Sequence, residues 1–152
     1  MIYLEKEDLI ASSFERFIDE SSGDKPAQGE TIDDVRQRIL DQTELKCIDI
    51  VKTAIGTKYD VDAIFDEDEP IKNEMLVDIL VKFMLYKIVR RNAARKVPTD
   101  YKEDYTEAKE TLEKIATGRI PLSGLPIATD GDGNPLVSQS VWGNNKNDNF
   151  YI

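Results

Sequence analysis

Carboxylates carry most of the chemical potential in this chain, and six crowd into ten positions: Asp60, Asp62, Asp66, Glu67, Asp68 and Glu69. Such a run can hold a hard cation through oxygen ligands. It can also supply a general acid and base, if two carboxylates occupy different environments of one pocket. Here the run lies in a polar stretch closed by Pro70, so it reads as a solvated loop presenting an acidic patch to a basic partner. Asp130, Asp132 and Asn134 alternate like the opening of a calcium loop. That pattern wants glycine at the sixth place and glutamate at the twelfth, where Pro135 and Val141 stand. The segment therefore reads as an Asx-rich turn. Cys47 falls on the apolar side of a helix with only Lys46 adjacent, the setting of a small buried hydrophobe rather than an activated thiol.

One basic cluster faces these acids: Lys87, Arg90, Arg91, Arg95 and Lys96. At the end of a helix it complements the dipole. It can also meet the acidic loop of a neighbouring copy. Contact with nucleic-acid phosphates ranks below both, because no stacking aromatics interleave with the bases and the whole chain carries a net charge of −10.

Absences narrow the function further. The chain has no histidine, which excludes imidazole bases and His-containing metal sites. It has one cysteine, which excludes an intrachain disulfide and a CxxC site. Neither a catalytic constellation nor a metal or cofactor motif is visible, so the expectation is a non-enzymatic protein without cofactors. No run is apolar and long enough to span a bilayer, and the acidic start is unlike a signal peptide. Synthesis in a reducing cytoplasm is the default.

The elements that must position these residues are helical. With 152 residues, 40% hydrophobic and 33% charged, the chain has the size and balance of a globular domain. Apolar spacing predicts a short helix over residues 5–13 with a further turn through Phe17, then an exposed loop over 21–30. Thr31 with Asp34 resembles a capping box and opens a helix of about 25 residues, roughly 38 Å long. Its apolar stripe is Ile32, Val35, Ile39, Cys47, Ile48, Val51 and Ile55, and Gly56 stops it. Residues 57–69 form an irregular acidic loop anchored by Tyr59, Val61, Ile64 and Phe65. Pro70 suits the first position of a third, central helix running to about Arg95. A fourth runs from Thr99 to about Thr117, with Tyr101, Tyr105, Ala108, Leu112 and Ile115 inward and Gly118 as its stop.

The composition changes at residue 119, and three of the six prolines follow. This tail cannot build its own core, yet it carries apolar groups: Leu122, Leu125, Ile127, Leu136, Val141, Trp142, Phe150, Tyr151 and Ile152. It should dock on its own domain or on a neighbour, with a hairpin around residues 130–134. The expected fold is thus all-α: a small bundle of about four helices, two of them long, over residues 1–118, with an extended C-terminal tail over 119–152.

The order of these features resembles the Mu-type phage family of head-completion or head–tail connector proteins. The matching residues are the opening Met1-Ile-Tyr-Leu-Glu-Lys-Glu-Asp-Leu-Ile10, the helix from Ile32 to Ile55 closing on Gly56-Thr-Lys-Tyr59, and the ending Leu85-Tyr-Lys-Ile-Val-Arg-Arg91. To these is added Tyr105-Thr-Glu-Ala-Lys-Glu-Thr-Leu-Glu-Lys-Ile-Ala-Thr-Gly118. The resemblance spans about residues 1–122. It implies an α-helical adaptor in the virion neck, forming a homo-oligomeric ring, typically of twelve copies. The ring would sit under the portal protein and join it to stopper and tail proteins. DNA would pass through without specific binding. In that reading the basic cluster and the acidic loop are subunit interfaces and the tail is the partner-docking element. The loop before the third helix is more acidic here than the family pattern. Two other readings stand beside it: a monomeric helical module acting on a basic protein partner, and an enzyme with carboxylate-only chemistry.

Overall fold

The computed structural model describes residues 1–13, 15–91, 96–130 and 132–136. Among them the chain forms six helices and folds as an all-α bundle: α1 (Lys6–Ser12), α2 (Glu15–Ser22), α3 (Ile32–Ile55), α4 (Val61–Ile64), α5 (Glu74–Arg91) and α6 (Thr99–Ala116). Helix α5 is central and packs against α1, α2, α3 and α6. It buries Leu76, Ile79, Leu80, Val81, Phe83, Met84, Leu85, Ile88 and Val89, a face too wide for a two-helix seam and suited to several neighbours.

Local chemistry explains most boundaries. At α3 the Thr31 hydroxyl accepts from the Asp34 amide at 3.2 Å while the Asp34 carboxylate accepts from the Thr31 amide at 2.9 Å. This is the expected capping box. The apolar stripe of α3 is buried except Ile32, which is 53% exposed at the first position of the helix. Helix α6 ends where Gly118 takes φ +79. The Gly118 amide then donates to Ile115 and the Arg119 amide to Lys114. These paired bonds need a left-handed residue and so select glycine.

Three boundaries differ from the expectations. Helix α2 continues through Ser22, and both Ser21 and Ser22 are buried. The Ser22 hydroxyl donates to the Ile18 carbonyl at 2.8 Å, which lets a usual helix breaker enter the interior satisfied. The acidic loop contains the single turn α4, capped by Asp60, whose carboxylate accepts from the Ala63 amide. Helix α5 starts at Glu74 rather than Pro70, because Asn73 caps it through the Met75 and Leu76 amides. The Tyr3 hydroxyl accepts from the Asn73 amide and donates to the Ile71 carbonyl, so residues 71–73 are held outside the helix.

Tyr3 is itself held by Glu44, a residue the sequence reading did not single out. Glu44 is fully buried in α3. Its carboxylate accepts from the amides of Ile2, Tyr3 and Leu4 at 2.5, 3.0 and 2.6 Å. The N-terminal strap contributes the buried Tyr3 and Leu4 to the core, with the Tyr3 ring 4.8 Å from that of Phe65. Burial pushes the Tyr3 phenol above its ordinary value, against the Asn73 amide that lowers it.

Glu44→Ala leaves three amides, two of them buried, without an acceptor and should cost about 3–5 kcal/mol. Glu44→Gln keeps a carbonyl for Tyr3 and Leu4 but turns an amino group towards Ile2, and should cost roughly 1–3 kcal/mol. Urea unfolding followed by circular dichroism checks this order; equal stability of all three proteins would remove Glu44 from the core's support.

Candidate interaction surfaces

The charged groups occupy opposite ends of α5. Its 18 residues span roughly 27 Å at 1.5 Å per residue. The acidic turn lies before its first residue and the basic cluster at its last.

At the acidic end the six expected carboxylates divide. Asp60 caps α4, and Asp62 pairs with Lys52 at 3.3 Å. The Asp66 carboxylate accepts from the amides of Asp68 and Glu69, both at 2.9 Å. The Glu69 and Asp68 amides hold Asp66 below the usual carboxylate range. This Asx-type turn projects Glu67, Asp68 and Glu69, all exposed and without an ion-pair partner among the described residues. A shallow depression of about 190 Å³, lined by Gly56, Tyr59, Asp60, Val61, Asp62, Ala128 and Thr129, is the nearest concavity. Its two acids are exposed and engaged locally, so it lacks the paired environments that acid–base work needs. Among the described residues no three histidine, cysteine or acidic side chains converge as a metal site requires.

At the basic end the cluster also divides. Arg91 stays exposed, with its guanidinium on the Asp24 carboxylate and near the Ser22 carbonyl. It ties the end of α2 to the end of α5 within the chain. Lys87 is half-buried, Arg90 and Lys96 are exposed, and none has an ion pair among the described residues. Arg95 lies outside the described residues.

Half-buried rings run along this end. Tyr86 of α5 stacks on Tyr105 of α6 at 4.3 Å, with the buried Phe83 5.1 Å from Tyr105. Phe17 of α2 stacks on Tyr101 at 5.7 Å, and the Tyr101 hydroxyl meets the Ser13 hydroxyl. Tyr101 and Tyr105 lie one turn apart, so the two stacks share one face of α6. The sequence reading took Tyr86, Tyr101 and Tyr105 only as apolar core positions. The available signal was Tyr86 four residues before Arg90, on the same helical face.

The expected docking tail turns largely onto this chain. Leu122 and Leu125 are buried in the helical core rather than left for a partner, a correction. The reason is backbone pairing. The Leu122 amide donates to the Tyr59 hydroxyl at 2.8 Å, and residues 58–60 bond to 126–128 through the Asp60 and Ala128 amides. The core thus crosses position 118. The expected hairpin is a minimal one, with the single antiparallel bridge Thr129–Pro135, while a second isolated bridge, Tyr59–Ile127, joins the segment to the end of α3. Asp130 organises its turn by accepting from Asp132 and Asn134 amides, so the calcium-like run serves its own backbone. Ile127 and Leu136 remain 44% and 59% exposed. Val141, Trp142, Phe150, Tyr151 and Ile152 lie outside the described residues.

Cys47 is fully buried, and burial pushes its thiol up to about 12, with Lys87 opposing and Glu44 reinforcing the shift. Among the described residues no helix is long and apolar enough to cross a membrane. No family model matches this chain, and no curated protein matches it.

Two measurements follow from this geometry. A thiol reagent at pH about 8 should label Cys47 no faster than the protein globally unfolds, because the thiolate is the reactive form. Rapid labelling of the native state would contradict the burial. For Asp130, the Asn134 amide holds the carboxyl below its ordinary value. Its support of the turn is complete above the unfolded value of about 3.9 and is lost as pH falls through the folded one. Protection factors of the Asp132 and Asn134 amides should drop on acidification below about pH 4. Unchanged protection there would show that the carboxylate does not hold the turn.

Proposed function

We propose that this chain is a structural adaptor of a tailed-phage neck, forming a homo-oligomeric ring beneath the portal and joining it to stopper and tail proteins. The observation that supports this reading is the separation of unlike charge along α5. A turn with three carboxylates precedes α5 and Arg90 lies at its far end, none of them ion-paired among the described residues, with a helix roughly 27 Å long between. Within the described residues these groups do not pair with one another. Between copies they form a head-to-tail contact, which closes into a ring when its rotation allows. Individual exposed ion pairs contribute little affinity, so their use is in register and in excluding a face-to-face dimer.

Two further features agree. The net charge of −10 disfavours a grip on phosphates, as a channel that lets DNA slide requires. The pairing of residues 126–136 leaves Ile127 and Leu136 exposed just ahead of the hydrophobic terminal stretch, where neck partners would engage. The reading includes no catalytic step, cofactor or membrane contact.

Light scattering and negative-stain imaging of the full chain, alone and with a portal ring, test this. A closed ring, formed alone or on the portal, is expected. A monomer at every concentration that ignores the portal would overturn it and favour a monomeric module using the acidic turn on a basic protein partner.

A further inference from the structure

The basic end offers more than charge. Tyr86 and Tyr105 are half-buried, stacked at 4.3 Å, and their hydroxyls have no hydrogen-bond partner among the described residues. The neighbouring hydroxyl, on Tyr101, is engaged by Ser13. Arg90 lies one turn beyond Tyr86 on the same face of α5. Lys82 is held by Asp78 and Glu107 and Arg91 by Asp24, while Lys87 is half-buried and Lys96 lies beyond the end of the helix. The α5/α6 seam thus sets a stacked tyrosine pair beside a guanidinium, the two hydroxyls and the guanidinium being without partners among the described residues. Tyrosine and arginine on a packed floor are the side chains that dominate protein interfaces.

We propose that this seam is a socket for the acidic turn of a second copy, with Arg90, Tyr86 and Tyr105 receiving residues 66–69. The inference deepens the ring reading and rests on it. Charge complementarity selects the occupant. Glu67, Asp68 and Glu69 are exposed carboxylates without cations among the described residues. The turn that carries them is fixed by the two amides on Asp66. Guanidinium and carboxylate make charge-assisted, planar hydrogen bonds, and a phenol donates to a carboxylate as well. Both sides are ordered before they meet, the rings by stacking and the turn by its own bonds, which lowers the entropic cost of association.

The test is charge exchange in full-length protein. Arg90→Glu reverses the socket, and Asp68→Arg with Glu69→Arg reverses the turn. Each protein alone should assemble at least tenfold more weakly than wild type. An equimolar mixture should recover assembly, because every turn then finds a socket of opposite sign. Tyr86→Phe keeps the stack, removes one hydroxyl and should weaken assembly about three- to tenfold. Circular dichroism and thermal unfolding establish that each variant is folded. Undiminished assembly of Arg90→Glu, or a mixture that fails to recover, overturns the socket while leaving the ring. An unchanged Tyr86→Phe removes the tyrosine from it. A wild-type protein that never assembles, with or without the portal ring, overturns the ring reading and this one with it.

Discussion

The fold depends on how the first four residues are held. Glu44 gathers three successive backbone amides of the strap inside the protein. Three amide donors on one buried carboxylate satisfy groups that water would otherwise have to reach. This brings Tyr3 into the core, where its hydroxyl bonds to the backbone on either side of Lys72. Those bonds keep residues 71–73 outside the helix and leave Asn73 free to cap α5. A contact between residue 44 and the strap therefore sets where the central helix begins, and with it where the acidic turn lies.

The charges divide into two groups by partner. Arg91, Lys82, Lys52 and Lys72 are each tied to an acid of another segment, joining helices and loops of the same chain. Glu67, Asp68 and Glu69 at one end and Arg90 at the other are left facing solvent. Internal pairing thus removes Arg91 from the basic cluster and leaves Arg90 beside the tyrosine rings. The acidic run is reduced in the same way to one projecting turn. Such localised, unlike ends suit a heterologous contact between copies better than broad smears of charge would.

A chain segment with tail-like composition can still be part of a core. Leu122 and Leu125 lie in the same cluster as Ile55, Leu80 and Ile115. Residues 58–60, at the end of α3, have backbone groups that α3 does not use, and residues 126–128 pair with them. The high proline content fits this, because the segment needs an extended backbone and only single bridges rather than a full ladder.

The all-α class, the capping box at Thr31, the glycine stop at 118 and the burial of Cys47 were legible in the sequence. Each rests on residues within a few positions of one another, and helical geometry converts such spacing directly into contact. The opposite placement of the two charged zones was legible too, since one long apolar helix must separate what lies at its two ends. Other features were decided by tertiary structure alone: the burial of Glu44, the late start of α5 and the entry of Ser21 and Ser22 into the interior. The loss of Arg91 to Asp24, the grouping of Tyr86 with Tyr105 and the docking of Leu122 and Leu125 belong with them. Most of these join segments far apart in the chain, 67 positions in the case of Asp24 and Arg91. Local propensity and periodicity carry no record of such pairs, because they form only when packing brings the segments together and removes the water between them.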